Sequence, residues 1–192
     1  MQTKIHSFER IVQYQRQLSL LKEVSIFRNL PPEAISDLAR RMTLKRWTSG
    51  SIIAAQNEPV SALQIVFEGQ AKVVLFGPNG REITLAQLER GEFFGEVGLI
   101  DGKPSSANVV APGEVAVLVL ERESFAAHLT AYPQAAVSLL QAMAERLRRA
   151  FPGTADEVEA EVVQLDDRRD QAVDADGHHQ RNGRKNGYAS HK

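Results

Sequence analysis

Residues 91–107 read Gly91-Glu92-Phe93-Phe94-Gly95-Glu96-Val97-Gly98-Leu99-Ile100-Asp101-Gly102-Lys103-Pro104-Ser105-Ser106-Ala107. Two aromatic residues in a strand-like run lead into a glycine hinge and about one turn of helix, and a proline-containing loop then returns to an apolar strand. Gly95 has no β-carbon, so a ligand could approach its backbone closely. Free N–H groups at the start of a helical turn near Val97, Gly98 and Leu99 would attract an anion, helped by the helix dipole. Glu96 is a carboxylate in an otherwise apolar run, placed to accept hydrogen bonds from a ligand hydroxyl. The same residues also fit a glycine-rich turn in which Glu96 caps backbone amides, and taken alone they leave both readings open.

On either side of this stretch the apolar residues fall into short runs at 51–55, 63–67, 71–76, 83–88, 107–110 and 115–120. Turn signals separate them at 48–50, 58–59, 68–69, 77–80 and 112–113. The Asn79-Gly80 pair is the strongest of these, since both residues accept the positive φ angles of a tight hairpin. Strands at this spacing without helices between them predict an antiparallel sandwich, barrel or jelly roll rather than a parallel α/β sheet. Trp47, Phe93 and Phe94 read as core or strand residues rather than as a base-stacking platform.

Helical periods flank the strands. Ile5, Phe8, Ile11, Val12, Leu18 and Leu21 fall mostly on one face of an N-terminal helix, which predicts packing on the following domain or contact with a partner. A second helix holds Ala34, Ile35, Leu38, Ala39 and Met42, with Asn29 as its cap and Pro31 or Pro32 in its first turn. After Leu120 one short helix stops at Pro133, which opens another. That last helix carries Val137, Leu140, Ala144 and Leu147 on a narrow stripe and ends at Pro152-Gly153. Thr154 and Glu157 have capping-box spacing ahead of one further weak helix. Residues 151–192 form a charged, apolar-poor tail expected to be largely disordered. The expected organisation is an N-terminal helical extension at 1–24, a β-rich domain at 25–150 and that tail.

The run FFGEVGLIDGKPSSANVVA resembles the phosphate-binding cassette of cyclic-nucleotide-binding domains. Such domains occur in the bacterial cyclic AMP receptor superfamily, in regulatory subunits of cyclic-AMP-dependent kinase and in cyclic-nucleotide-gated channels. The likeness extends to LKEVSIFRNLPPEAISDLA, to the Glu68-Gly69 turn and to the helix pair after Leu120, so it covers roughly residues 20–150. It implies a mainly β fold, an antiparallel jelly roll with N-terminal helices and a C-terminal helix pair. It also implies that Glu96 binds a ribose 2′-hydroxyl and that the amides of Gly95 and Val97 to Leu99 approach the sugar and phosphate. Ser106 would touch the phosphate or base, and Ala107 would begin the next strand. In the family an arginine follows the loop proline and grips the cyclic phosphate, whereas here Pro104 is followed by Ser105. A guanidinium offers a charged, planar fork of donors and serine one neutral donor. Charged hydrogen bonds contribute about 1.5–3 kcal/mol each, so losing a bidentate pair weakens binding by about two to four orders of magnitude. Lys103, Arg81 and Lys72 are the cations that could compensate, although Lys103 reads as a solvated loop residue.

Cysteine is absent and the formal net charge is -1. Thiol nucleophiles, disulfides and Cys-ligated metals are therefore excluded, and no global field attracts DNA or an anionic membrane. His6, His128, His178, His179 and His191 are scattered, Ser105-Ser106 lack a triad partner, and no Walker or dinucleotide loop is present. Catalytic residues, metal ligands and cofactors are thus not expected; the resemblance brings in only a cyclic nucleotide as a ligand. Residues 151–192 are too polar for a helix-turn-helix, so the chain is not expected to be a complete DNA-binding regulator. The expected function is a non-enzymatic regulatory module that binds cyclic AMP weakly, in altered form or not at all. It would act on a protein partner or by self-association as a homodimer through its terminal helices. The alternative is a stand-alone cyclic AMP or cyclic GMP sensor whose ligand repositions the C-terminal helices. A cytoplasmic location is expected, without DNA or membrane as partners.

Overall fold

The computed structural model of the chain describes residues 2–77 and 80–151, with side chains from residue 9 onward. Two helices come first, α1 (Gln2–Glu23) and α2 (Pro32–Arg41). Six strands follow: β1 (Thr43–Trp47), β2 (Ile52–Ala54), β3 (Ala62–Glu68), β4 (Ala71–Phe76), β5 (Glu82–Leu88) and β6 (Phe93–Phe94). A short helix α3 (Glu96–Asp101) leads to β7 (Asn108–Val110) and β8 (Val115–Glu121), and α4 (Arg122–Ala131) and α5 (Pro133–Ala150) complete the order. The chain divides into two compact units, Met1–Glu145 and Arg146–Lys192. Expectations for Asn79, Pro152-Gly153, the Thr154 and Glu157 capping box, the charged tail, His178, His179 and His191 lie outside the described residues. So do those for the side chains of Ile5, His6 and Phe8.

The strands form two antiparallel sheets in the orders β1-β8-β3-β6 and β2-β7-β4-β5, the jelly-roll arrangement that the strand spacing implies. In the first sheet β3 and β8 are covered on both faces, and their sequence shows why. In β8, Ala116, Leu118 and Leu120 join a core shared with the helices, while Val115, Val117 and Val119 join the core between the sheets. Successive strand residues point to opposite faces, so a strand buried on both sides reads as a continuous apolar run. β3 divides in the same way, with Leu63, Ile65 and Phe67 toward the helices and Ala62 and Val66 toward the second sheet. Phe93 and Phe94 split likewise, which makes them the core residues anticipated. In contrast, every residue of β5 except Leu88 is exposed at the outer end of the second sheet.

The helices are where the pattern misleads. The inward face of α1 is made by Leu20 and Leu21, with Tyr14 and Leu18 alongside, whereas Ile11 and Val12 are exposed. α2 buries Ala34, Ile35, Leu38 and Ala39 as expected, but Pro31 rather than Asn29 stands at its N-cap, without a side-chain capping bond. Proline can hold that place because the first N–H groups of a helix need no intrahelical partner. α5 turns Ala135, Leu139 and Ala142 inward and leaves Val137, Leu140 and Leu147 exposed. The stripe visible in its sequence is therefore not the face that covers the roll.

Candidate functional site

β6 ends at Phe94, and Gly95 turns the chain with a φ of 89°, in the left-handed region that favours glycine. A β-carbon on Gly95 would stand 2.6 Å from the Ala62 carbonyl oxygen, so the space left by the missing side chain is filled by β3. At Gly98 a β-carbon would meet Val60 Cγ2 at 2.5 Å and the Lys103 carbonyl oxygen at 2.7 Å. The two glycines let α3 lie directly against residues 60–62. Leu99 N donates to the Gly95 carbonyl at 3.2 Å and closes the turn. By helix geometry the N–H groups of Val97 and Gly98 have no intrahelical partner, and this is what α3 can offer an anion.

Side chains of the segment separate by environment. Glu96 is buried at 5% exposure, a rare position for a carboxylate. Leu99 packs against the helix-side core and Val97 is exposed. Gly102 ends α3 in the left-handed region, and Asp101 Oδ1 accepts a hydrogen bond from Lys103 N at 2.9 Å. Downstream, the backbone of Ser105 is paired on both sides. Its N–H donates to the Glu58 carbonyl at 2.9 Å, and its carbonyl accepts from Asn57 N at 2.8 Å. Asn108 Oδ1 accepts from Gln56 N at 2.9 Å, which ties the same two segments together one step further along. Ser105 Oγ donates to the Ala107 carbonyl at 2.8 Å, so its single proton is committed within the loop. Ser106 is exposed and Ala107 is buried just before β7, which begins at Asn108 rather than at Ala107. All eight anticipated residues thus lie on one continuous path from α3 through the loop to β7.

The cations that could replace the missing guanidinium lie on three separate parts of the chain, the loop after α3, β4 and the β4–β5 turn. Lys103 is exposed, with its Nζ 4.0 Å from Asp101 Oδ2. Lys72 pairs in register with Val110 and Gln87, one residue out of step with Val73 and Val109, which pack between the sheets. Strand alternation therefore turns Lys72 away from that interior. Arg81 is exposed beside the β4–β5 turn, where its carbonyl accepts from Gly77 N. Among the described residues no group of three or more histidines and carboxylates could hold a metal ion. Nor is any described helix long and apolar enough to cross a membrane.

Two residues of α4 fell outside the anticipated set, and the first of them touches α3. Arg122, at the start of α4, sends its guanidinium back to α3: Nη1 donates to the Leu99 carbonyl at 3.2 Å and Nη2 to those of Gly98 at 3.3 Å and Val60 at 2.5 Å. Its own N–H donates to the Ser61 carbonyl at 2.8 Å. The sequence carried one signal for this residue, a cation in the first turn of a helix. His128, further along α4, is buried edge-on against Phe27, and neither ring nitrogen has a hydrogen-bond partner. Burial holds its pKa below the usual value, with the Asp37 charge pulling the other way and the Arg41 charge adding to the fall.

Residues 44–132 match the family model of the cyclic nucleotide-binding domain. Over 143 residues the chain is 27% identical to a CRP-like cAMP-activated global transcriptional regulator of Mycobacterium tuberculosis, covering 74% of this chain and 64% of the regulator. It is 35% identical over 131 residues to the cyclic AMP receptor protein of Thermus thermophilus, covering 68% of this chain and 60% of the other. The chain therefore spans less than two thirds of the length of these curated relatives. Among solved structures, the N-terminal domain of a transcriptional regulator from Streptomyces coelicolor superposes with a TM-score of 0.57 at 31% identity, covering 69% of this chain and 93% of that one.

Proposed function

Because the chain belongs to the cyclic nucleotide-binding domain family, we propose that it is a non-enzymatic regulatory module with a weakened hold on a cyclic phosphate. Ser105 carries this reading. It stands where the family's arginine would, and its hydroxyl proton goes to the Ala107 carbonyl rather than outward. The sugar side of the cradle keeps its parts, Glu96 and the amides of α3, so affinity is lowered by loss of the phosphate contact and not by loss of shape. The Lys103 Nζ lies 4.0 Å from Asp101 Oδ2 and Lys72 is on the outward register, which supports the weakened grip. The working output is contact with a protein partner or a second copy through α5. Its exposed Val137, Leu140 and Leu147 alternate three- and four-residue steps with Ala144, the spacing of a coiled-coil seam.

Calorimetric titration with cyclic AMP and cyclic GMP tests the reading on the native chain and on Ser105→Arg. The native chain is expected to bind weakly or not at all, and the variant to gain about two to four orders of magnitude. Glu96→Ala in the variant background should remove the gain. Submicromolar binding by the native chain would overturn the weakened-grip reading in favour of a ligand-controlled sensor.

A further inference from the structure

His128 lies in the last turn of α4 with 4% of its surface exposed. Phe27, from the turn between α1 and α2, stands edge-on to its ring at 5.6 Å between centroids. Tyr132 lies tilted against the same ring at 5.0 Å. Both ring nitrogens are buried without a hydrogen-bond partner, a costly state for groups that water would satisfy. Adding a proton there would bury a full charge as well. The charges that act on the ring come from α2, where Asp37 favours the imidazolium and Arg41 opposes it. Asp37 is already paired with Arg41 at 2.8 Å and with Arg40 at 3.8 Å, so this cluster of α2 carries a net positive charge. The other two elements against the ring, the turn at Phe27 and the end of α4 at Tyr132, offer it aromatic rings rather than a counter-charge.

Tyr132 is also the single residue between α4 and α5, with φ −131° and ψ 78°, outside the helical region. Its N–H donates to the His128 carbonyl at 2.9 Å, and its carbonyl accepts from Ala135 N at 2.9 Å. His128 therefore holds the joint between the two helices by ring and by backbone. We propose that His128 is a proton-operated latch: neutral, it keeps the α4–α5 joint on the helix-side core, and protonated, it releases α5 from the roll. In the released form the imidazolium reaches water at the C-terminal end of α4, where the helix dipole favours a cation. Release frees Ala135, Leu139 and Ala142, the residues by which α5 meets the core. The ordinary histidine value is 6.5, and burial lowers it in the closed form. Closure is thus fully favoured above pH 6.5, and below it the released form takes up the proton first. Release then gains about tenfold per pH unit until the closed form's own value is reached.

Native-state amide hydrogen exchange on the full chain, corrected for the intrinsic rate at each pH, tests the latch. Between about pH 7.5 and about pH 5.5, protection of residues 129–139 should fall about tenfold. That opening should depend weakly on urea, because moving a joint exposes little surface. β3 and β8 should stay more protected at each pH and show the steep urea dependence of global unfolding. Equal protection and equal urea dependence of the segment and the strands overturn the proposal, since α5 would then leave only when the whole fold opens. His128→Phe keeps a ring against Phe27 without a titratable nitrogen. It should hold the protection of the segment within about twofold across the same range. A fall that persists in His128→Phe, or no fall in the native chain, also overturns the latch. His128→Leu carries the same expectation and serves if the larger ring does not fit.

Discussion

Gly98 and Ser105 lie in one segment and are constrained in different ways. At Gly98 the backbone of α3 runs so close to Val60 and Lys103 that a methyl group has no room. Gly98→Ala is expected to cost about 1–3 kcal/mol, seen as a lowered midpoint of urea unfolding. Adding Val60→Ala should recover part of that loss, because it removes the side-chain collision and leaves the one with the Lys103 carbonyl. No recovery would mean the backbone contact dominates. His128 provides a different test. Its folded pKa is depressed by burial, so its neutral form stabilises the fold at pH above the usual 6.5. As pH falls below that value the unfolded chain takes up the proton first, and the stabilisation is lost progressively down through the folded pKa. His128→Phe, which keeps a ring against Phe27, should flatten this acid limb in urea unfolding followed across pH. An unchanged slope would assign the acid sensitivity to other groups.

At the scale of elements, burial on one side or both decided what the sequence displayed. β3 and β8 show unbroken apolar runs because each faces two cores, and β2 and β7 are too short to show a pattern. α2 was legible because its apolar residues meet a single neighbouring layer. In α1 and α5 small or polar residues share the inward face with leucines: Gln17 is buried beside Leu20 and Leu21 in α1, and Ala135 and Ala142 beside Leu139 in α5. Larger residues on the other side then dominate the periodicity. A hydrophobic pattern reports where apolar side chains recur, not which recurrence meets the roll. In α5 the misleading stripe is itself informative, since Leu140 and Leu147 stay 67% and 61% exposed.

For the whole molecule, that exposed stripe predicts association. Light scattering across a dilution series should show the native chain above its monomer mass at high concentration. Leu140→Glu with Leu147→Glu should return it to the monomer without changing its unfolding midpoint. A native chain that stays monomeric throughout would remove self-association and leave a different protein as the partner. The two sheets make such an arrangement workable. The helix-side core fixes α4 to the first sheet through Phe125, while α5 touches that core through one face only.

The fold class could be read from the sequence because it is written locally. Strand length, turn residues and the stretch from Gly91 to Ala107 involve neighbours along the chain, and short-range sterics and hydrogen bonding act there directly. Ser105 was legible for the same reason, being one step from Pro104. The tertiary structure alone decided the rest, since each remaining feature depends on residues distant in sequence. It set Ala62 behind Gly95, paired the Ser105 backbone with Asn57 and Glu58, and turned Lys72 outward. It also chose the buried faces of α1 and α5 and brought Arg122 to the end of α3. Periodicity cannot encode such meetings, because they arise only when the sheets and helices close around the two cores.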